Sequence, residues 1–247
     1  MKYGILSDIH SNLEAFEAVL SHLQKQGIEQ YIFCGDLVGY GPDPEACVQK
    51  YRQLAARKQI VGVMGNHDAI FSHPEIREYF HPDALRVLDW SWKQLSKDAA
   101  RTISFLPEII QEKKFAVVHG SPRDPLKEYL LEREQFRTLY DRWEGDILFV
   151  GHTHVPLFMT GTSAFCRIAA AEEGTVIDIQ RMFRYIINPG SVGKPRDNNP
   201  HACFGVWDDE KNTFHFLRVP YDFTQTQDKM RKAKLPALLI KGLSWGL

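Results

Sequence analysis

Aspartates, histidines and one asparagine recur at one kind of place in this chain, directly after short apolar runs. Asp8 and His10 follow the first run, Asp36 the second, and Asn66, His67 and Asp68 the third; His119 follows the fourth, and His152 with His154 the fifth. Carboxylates, an amide oxygen and neutral imidazoles, with no thiolate among them, suit divalent ions of borderline hardness such as Mn, Fe, Zn, Ni or Co. With His67 and Asp68 set aside, seven such groups remain, more than one tetrahedral ion needs. Seven is the right number for two ions sharing a bridging carboxylate. Glycines stand among them in Gly35-Asp36, Gly65-Asn66-His67-Asp68, His119-Gly120-Ser121 and Gly151-His152-Thr153-His154, where they let the backbone turn tightly and approach bound phosphate.

Each fragment alone has a plainer reading. Asp36 is also a candidate helix cap, Asn66 a turn residue, and a single Asp-x-His or His-x-His pair a solvated turn or a satisfied core contact. The ordered series of five, each after an apolar strand-like run, argues against coincidence.

The elements that must position these groups follow from periodicity. Residues 3–7, 31–34 and 60–64 read as strands, and the first is followed by a helix with Leu13, Phe16, Val19, Leu20 and Leu23 at helical spacing. A second helix starts near Pro44, and residues 82–106 read as one helix closed by Pro107. From Phe115 the texture becomes mostly β, with strand-like runs at 115–118, 147–150, 156–159, 184–187, 203–207 and 214–219. Residues 224–234 and 236–241, with Gly242 as a stop, predict a short helical tail from about 222, packed on a sheet edge. Strands alternating with helices predict an α/β domain, and without a linker or a composition break it should run over 1–247. In such a sheet the C-terminal strand ends share a rim, so five loops would meet in one crevice.

Composition bounds the alternatives. With 247 residues, 44% hydrophobic and 25% charged, the chain is long enough to bury roughly 73% of its unfolded surface, and whole-chain disorder, collagen and coiled coil are excluded. A formal net charge of -1 offers no general attraction for polyanions, so no stable nucleic-acid binding is expected. No apolar run approaches the ~20 residues of a membrane span, and Asp8 interrupts any signal-peptide core, so a cytoplasmic location is expected. Cys34, Cys47, Cys166 and Cys203 form no C-x-x-C pair and read as reduced, buried thiols.

The order Asp-x-His, Gly-Asp, Gly-Asn-His-Asp, His, Gly-His-x-His resembles the calcineurin-like metallophosphoesterases, whose five blocks stand here unbroken between Asp8 and His154. Asn188-Pro189-Gly190-Ser191 and the loop Gly35-Asp36-Leu37-Val38-Gly39-Tyr40-Gly41-Pro42 resemble the compact bacterial and archaeal branch of small phosphodiesterases related to diadenosine tetraphosphatase. The resemblance implies a four-layer αββα sandwich of two mixed sheets and a hydrolase for a small phosphoester, a phosphodiester or nucleotide first. It further implies that Asp8, His10 and His154 hold one divalent ion, Asn66, His119 and His152 a second, and Asp36 both, with Mn the first candidate. His67 would protonate the leaving group, and Asp68 would orient it through a hydrogen bond. A phosphomonoesterase, including a protein phosphatase, and a non-catalytic metal-bound scaffold are the alternatives.

Other residues stay open at this level. Asn12 is a phosphate contact or a helix cap; Lys194 and Arg196 touch substrate phosphate or form a solvated turn. Tyr79, Phe80, Trp90 and Trp92 line an entrance or belong to helix core. His22, His73, His81, His201 and His215 read as surface or core. Pocket walls are expected from 39–44, 72–82 and 122–131. Oligomeric state has no signal in the sequence.

Overall fold

The computed structural model describes residues 1–70 and 72–247. The first strand, β1 (Lys2–Leu6), leads into helix α1 (Leu13–Lys25), where Phe16, Val19, Leu20 and Leu23 recur at helical spacing and bury one face. The side-chain oxygen of Asn12 accepts from the Ala15 N–H and caps that helix. The same alternation continues through β2 (Tyr31–Phe33), α2 (Pro44–Ala56), β3 (Ile60–Gly62) and the single turn α3 (Asn66–Ala69). A 3-10 segment over Pro74–Tyr79 precedes α4 (Pro82–Gln94) and α5 (Lys97–Ser104).

The second half contains β4 (Ile109–Gln111), β5 (Phe115–Val118), α6 (Arg133–Leu139), β6 (Ile147–Phe149), β7 (Leu157–Gly161), β8 (Cys166–Ala170) and β9 (Val176–Asp178). It closes with β10 (Arg184–Asn188), β11 (Ala202–Asp208), β12 (Thr213–Val219), α7 (Phe223–Lys232) and α8 (Ala237–Trp245).

Two six-stranded mixed sheets result, ordered β3-β2-β1-β11-β12-β9 and β4-β5-β6-β10-β7-β8. Strands β1, β2 and β3 run parallel in the first, and β5, β6 and β10 in the second. Between the sheets lie Ile5, Val117, Phe149, Phe158, Trp207 and Phe214. Phe16, Val19, Val48 and Ile103 pack on the outer face of the first sheet, and Phe136, Leu139 and Trp143 on that of the second. The layers are helix, sheet, sheet, helix, as the resemblance implied.

Three local expectations are corrected. Residues 82–106 are two helices, because Leu95 is extended (ψ 135°) and Ser96 caps α5 by accepting from the Ala99 N–H while its own N–H and hydroxyl bind Glu45. Gly242 does not stop the tail: α8 runs on to Trp245, and Gly246 at φ 68° is the left-handed cap. Nor does the tail lie on a sheet edge. Lys229 ties α7 to Glu14 and Asp43, and Met230, Leu235, Ile240 and Leu243 bury themselves with Val87. The short strands β4, β8 and β9 and helix α6 carried too few apolar positions to be read from periodicity.

Candidate metal centre and active site

The five loops leave the parallel strands at one end of both sheets, so the two layers meet over the site. Backbone bonds stitch the loops together: Asp8 N–H to Gly35 O at 2.9 Å, His10 N–H to Asp36 O at 3.0 Å and Gly151 N–H to His119 O at 2.9 Å. Behind them, the Asn188 amide donates to Gly151 O (2.5 Å) and Thr153 Oγ1, and the Ser191 hydroxyl donates to Asp8 O (2.9 Å). The Asn-Pro-Gly-Ser segment is therefore the clasp that aligns two ligand loops. Asp8, His10, Asp36, Tyr40, His152 and His154 all have positive φ, between 48° and 69°. That region costs a non-glycine residue on the order of 1–3 kcal/mol, and such strain gathers where side-chain aim matters more than backbone comfort.

Two groups of donor atoms converge in these loops. Asp8 uses Oδ2 to accept from the Ser7 hydroxyl (2.6 Å) and the His152 N–H (3.2 Å), and leaves Oδ1 buried without a hydrogen-bond partner. That bare oxygen lies 3.2 Å from His154 Nε2 and 3.7 Å from His10 Nε2, and the two Nε2 atoms are 3.0 Å apart. Asp36 Oδ2 closes the group at 3.5 Å from His10 Nε2. Ligand bonds of about 2.1 Å give polyhedron edges of about 3.0–3.4 Å, so this spacing fits a divalent ion at the centre. Asp36 Oδ2 is also 3.3 Å from His119 Nε2, which lies 3.1 Å from Asn66 Oδ1, and the His152 ring is 4.8 Å from that of His119. One carboxylate oxygen thus faces both groups.

Each imidazole is aimed by its other nitrogen. His10 Nδ1 pairs with Val38 O, His119 Nδ1 with Cys34 O, His154 Nδ1 with Lys194 O and His152 Nε2 with Lys127 O. A carbonyl only accepts, so each of these nitrogens carries a proton, and in the neutral rings of His10, His119 and His154 the other nitrogen, Nε2, is the one free to bind an ion at the cluster. This is how metal-bound histidines are held.

Electrostatics without an ion tell the same story. Burial pushes the Asp8 and Asp36 carboxyls up, but the neighbouring imidazoles outweigh it and both end below the usual carboxylate range. Burial opposes charge on His119, yet the Asp36 carboxylate raises it to about 9. His154 falls to about 3 through burial and the charge of Arg196, and His152 to about 3 through burial and His119. Without an ion the carboxylates are balanced by proton uptake on the imidazoles, His119 above all, and a divalent ion would take the place of that positive charge.

His67 lines the mouth of this centre, its ring 4.7 Å from His10, 4.6 Å from Tyr40 and 4.9 Å from Phe80. Its Nδ1 is buried without a hydrogen-bond partner. Burial drives the ring toward its neutral form, against the pull of Asp36. The hydrogen bond expected from Asp68 is not made. Both Asp68 oxygens are taken by backbone N–H groups of Leu37, Val38 and Gly65 at 3.0–3.1 Å, so Asp68 ties the second loop to the third. Burial and the Asp36 charge push its carboxyl up to about 7 against those three donors. His67 is instead fixed by its own N–H, which donates to Asp36 Oδ1 at 2.9 Å, and by the bare backbone of Gly39 at φ 98°, where a side chain would collide with Nδ1.

A cleft of about 230 Å³ opens above the centre, and a second of about 150 Å³ adjoins it through Asn66, Tyr79, Phe80, Tyr129 and His152. All three expected wall segments contribute, through Tyr40, through Tyr79 with Phe80, and through Lys127 with Tyr129. His81 also lines the cleft, although its sequence context marked it as surface or core. Tyr129 stacks on His152 at 3.9 Å, a contact no local pattern announces. Asn12 is a cap, its amide spent on Gly193 O and Tyr221. Lys194 is buried and donates to Leu247 O, whereas Arg196 reaches the cleft. The four cysteines are buried and free.

Comparison with known proteins agrees with this geometry. Residues 1–212 match the calcineurin-like phosphoesterase superfamily domain. A metallophosphoesterase crystal structure from Sphaerobacter thermophilus superposes with a TM-score of 0.87 at 35% identity, over the whole of both chains. An uncharacterized protein of Methanocaldococcus jannaschii, MJ0912, is 33% identical over 98% of this chain and 97% of its own length. The phosphodiesterase YfcE of Escherichia coli is 23% identical over 85% of this chain and 89% of that relative. The family uses divalent metals, and the buried group Asp8, His10, Asp36 and His154 can hold one. No helix among the described residues is long and apolar enough to cross a membrane. The chain belongs to the calcineurin-like phosphoesterase superfamily, a family of metal-dependent hydrolases.

Proposed function

We propose that the chain, as one domain over 1–247, hydrolyses a small phosphodiester or nucleotide at a centre of two divalent ions. Asp8, His10 and His154 would hold one ion, Asn66, His119 and His152 the other, and Asp36 both. The observation that carries this reading is that His10, His119 and His154 each spend Nδ1 on a carbonyl and turn Nε2 toward Asp8, Asp36 or Asn66, while His152, whose Nε2 meets Lys127 O, packs 4.8 Å from the His119 ring. Ions bound there would supply Lewis-acid clamping of phosphoryl oxygens and an attacking water of lowered pKa. His67, at the mouth, would donate the proton to the leaving oxygen; an anion seated beside it raises its basicity as Asp36 does. The small cleft excludes a folded protein substrate from close approach, and the aromatic walls suit a flat leaving group.

Of Arg123, Lys194 and Arg196, Arg123 is paired with Glu128 and Lys194 is turned to Leu247 O, which leaves Arg196 in the main cleft, while Lys127 lines the adjoining one over the Tyr79 ring. One arginine suits a reacting phosphate with a single charge. The test measures metal content and turnover together. With Mn at mildly alkaline pH, the protein should carry two ions per chain, lose activity on chelation, and show higher kcat/KM for bis(4-nitrophenyl) phosphate than for 4-nitrophenyl phosphate. A tenfold preference for the monoester, about 1.4 kcal/mol, would favour the monoesterase instead. Full activity with one ion or none would overturn the dinuclear centre.

A further inference from the structure

The Arg196 guanidinium stands half-buried in the wall of the cleft with Tyr40 and Tyr129 as its polar neighbours. Its Nη2 donates to the Tyr40 hydroxyl at 3.2 Å, the Tyr129 phenol lies close enough to raise its pKa, and its Cζ is 5.9 Å from the Tyr40 ring centre. Among the described residues it forms no ion pair with a carboxylate, unlike Arg77, Arg123, Arg218 and Arg231, each of which has one. The backbone N–H of Arg196 binds His154 O, so its loop is anchored to the centre itself. A half-buried cation without a direct ion pair is held against its hydration, and the cleft it faces is lined mainly by phenols and imidazoles, with the Asp36 carboxylate at its floor turned to His10, His119 and the His67 N–H.

The Tyr40 ring packs 4.7 Å from His10 and 4.6 Å from His67, and its hydroxyl end carries Arg196. Arg196 is therefore one tyrosine away from His10 and His67, offset from the point where Asp36 faces both groups. We propose that Arg196, flanked by the Tyr40 and Tyr129 hydroxyls, is the anion anchor of the cleft and takes a phosphoryl oxygen that the metal centre does not clamp. It thereby sets how strongly the site accepts doubly charged phosphate. This rests on the phosphoesterase reading for its substrate, but not for its anion. Guanidinium offers a forked pair of donors, and the two phenols hold that fork at one angle. A singly charged diester has less need of the anchor than a doubly charged monoester or inorganic phosphate.

The experiment compares wild type, Arg196→Met and Arg196→Lys with Mn bound, at mildly alkaline pH. Calorimetric titration with inorganic phosphate reads binding without turnover. Arg196→Met should weaken phosphate binding by about tenfold to a hundredfold, the range for a hydrogen bond to a charged group. It should raise KM for 4-nitrophenyl phosphate by a similar factor while kcat changes less, and the loss on bis(4-nitrophenyl) phosphate should be at least fivefold smaller. Arg196→Lys should recover part of the phosphate affinity. Tyr40→Phe and Tyr129→Phe, which keep the rings, should each weaken phosphate only about twofold to fivefold. Equal losses on both esters, or phosphate affinity unchanged in Arg196→Met at full metal content, would make Arg196 a strut of the wall and overturn the anchor. If wild type turns over neither ester but binds phosphate through Arg196, the phosphoesterase reading falls and the anchor stands.

Discussion

His10 and His154 point their Nε2 atoms at each other across 3.0 Å, while their Nδ1 atoms donate to the carbonyls of Val38 and Lys194. Two lone pairs at that distance repel unless something positive lies between them. The buried Asp8 Oδ1 beside them, with no hydrogen-bond partner, adds negative charge to the same point. The two rings come from positions 144 residues apart, and either a shared proton or a bound cation relieves the repulsion between them.

Asp36 is the one carboxylate whose single oxygen faces imidazoles of both groups, His10 at 3.5 Å and His119 at 3.3 Å. Asp36→Asn should therefore lower occupancy at both metal positions, whereas Asp8→Asn should weaken mainly one. Elemental analysis after dialysis against limiting Mn checks this. Two ions retained by Asp36→Asn at wild-type affinity would remove it as the bridge.

Removal of the His67 imidazole should separate chemistry from metal binding. His67→Ala should keep both ions and lose about 10²–10⁴-fold in kcat, the usual contribution of a general acid. The loss should shrink for a nitrophenolate leaving group, which needs little protonation, and grow for an alkyl alcohol. Wild-type rates on an alkyl ester would show that the proton comes from elsewhere.

Asp68 should behave as a structural residue. Its carboxylate satisfies the buried N–H groups of Leu37, Val38 and Gly65, and each orphaned donor costs about 1–3 kcal/mol. Asp68→Ala should thus lower stability by roughly 3 kcal/mol or more, a fall of about 6–12 °C in Tm for a chain of this size. Thermal unfolding of the metal-free protein measures it. A Tm unchanged in Asp68→Ala, with kcat reduced, would return Asp68 to an orienting role for His67.

The ligand types, their order and their places after apolar runs were legible in the chain, because a strand of three to five buried residues leaves a short apolar signature and the loop after it keeps its polar residues in register. Asp8, His10, Asp36 and His154 meet in one buried group. Helix α1 was legible for the same reason, its apolar spacing being local. The break at Leu95 was not, since Ser96 becomes a cap only when Glu45 from another helix binds it.

What the sequence by itself determined is the chemistry available: which donors exist, how many, and on which loops. The tertiary structure decided which nitrogen of each histidine is free, because that depends on the carbonyls of Val38, Cys34, Lys127 and Lys194, all four of them distant in sequence from their rings and invisible to any local pattern. It also gave Asp68 to the backbone rather than to His67, and of Arg196, Lys194 and Arg123 it brought only Arg196 to the cleft over the centre. Backbone N–H groups and unpaired charges must be satisfied in three dimensions, and a side chain's partner is set by that competition rather than by its neighbours in the chain.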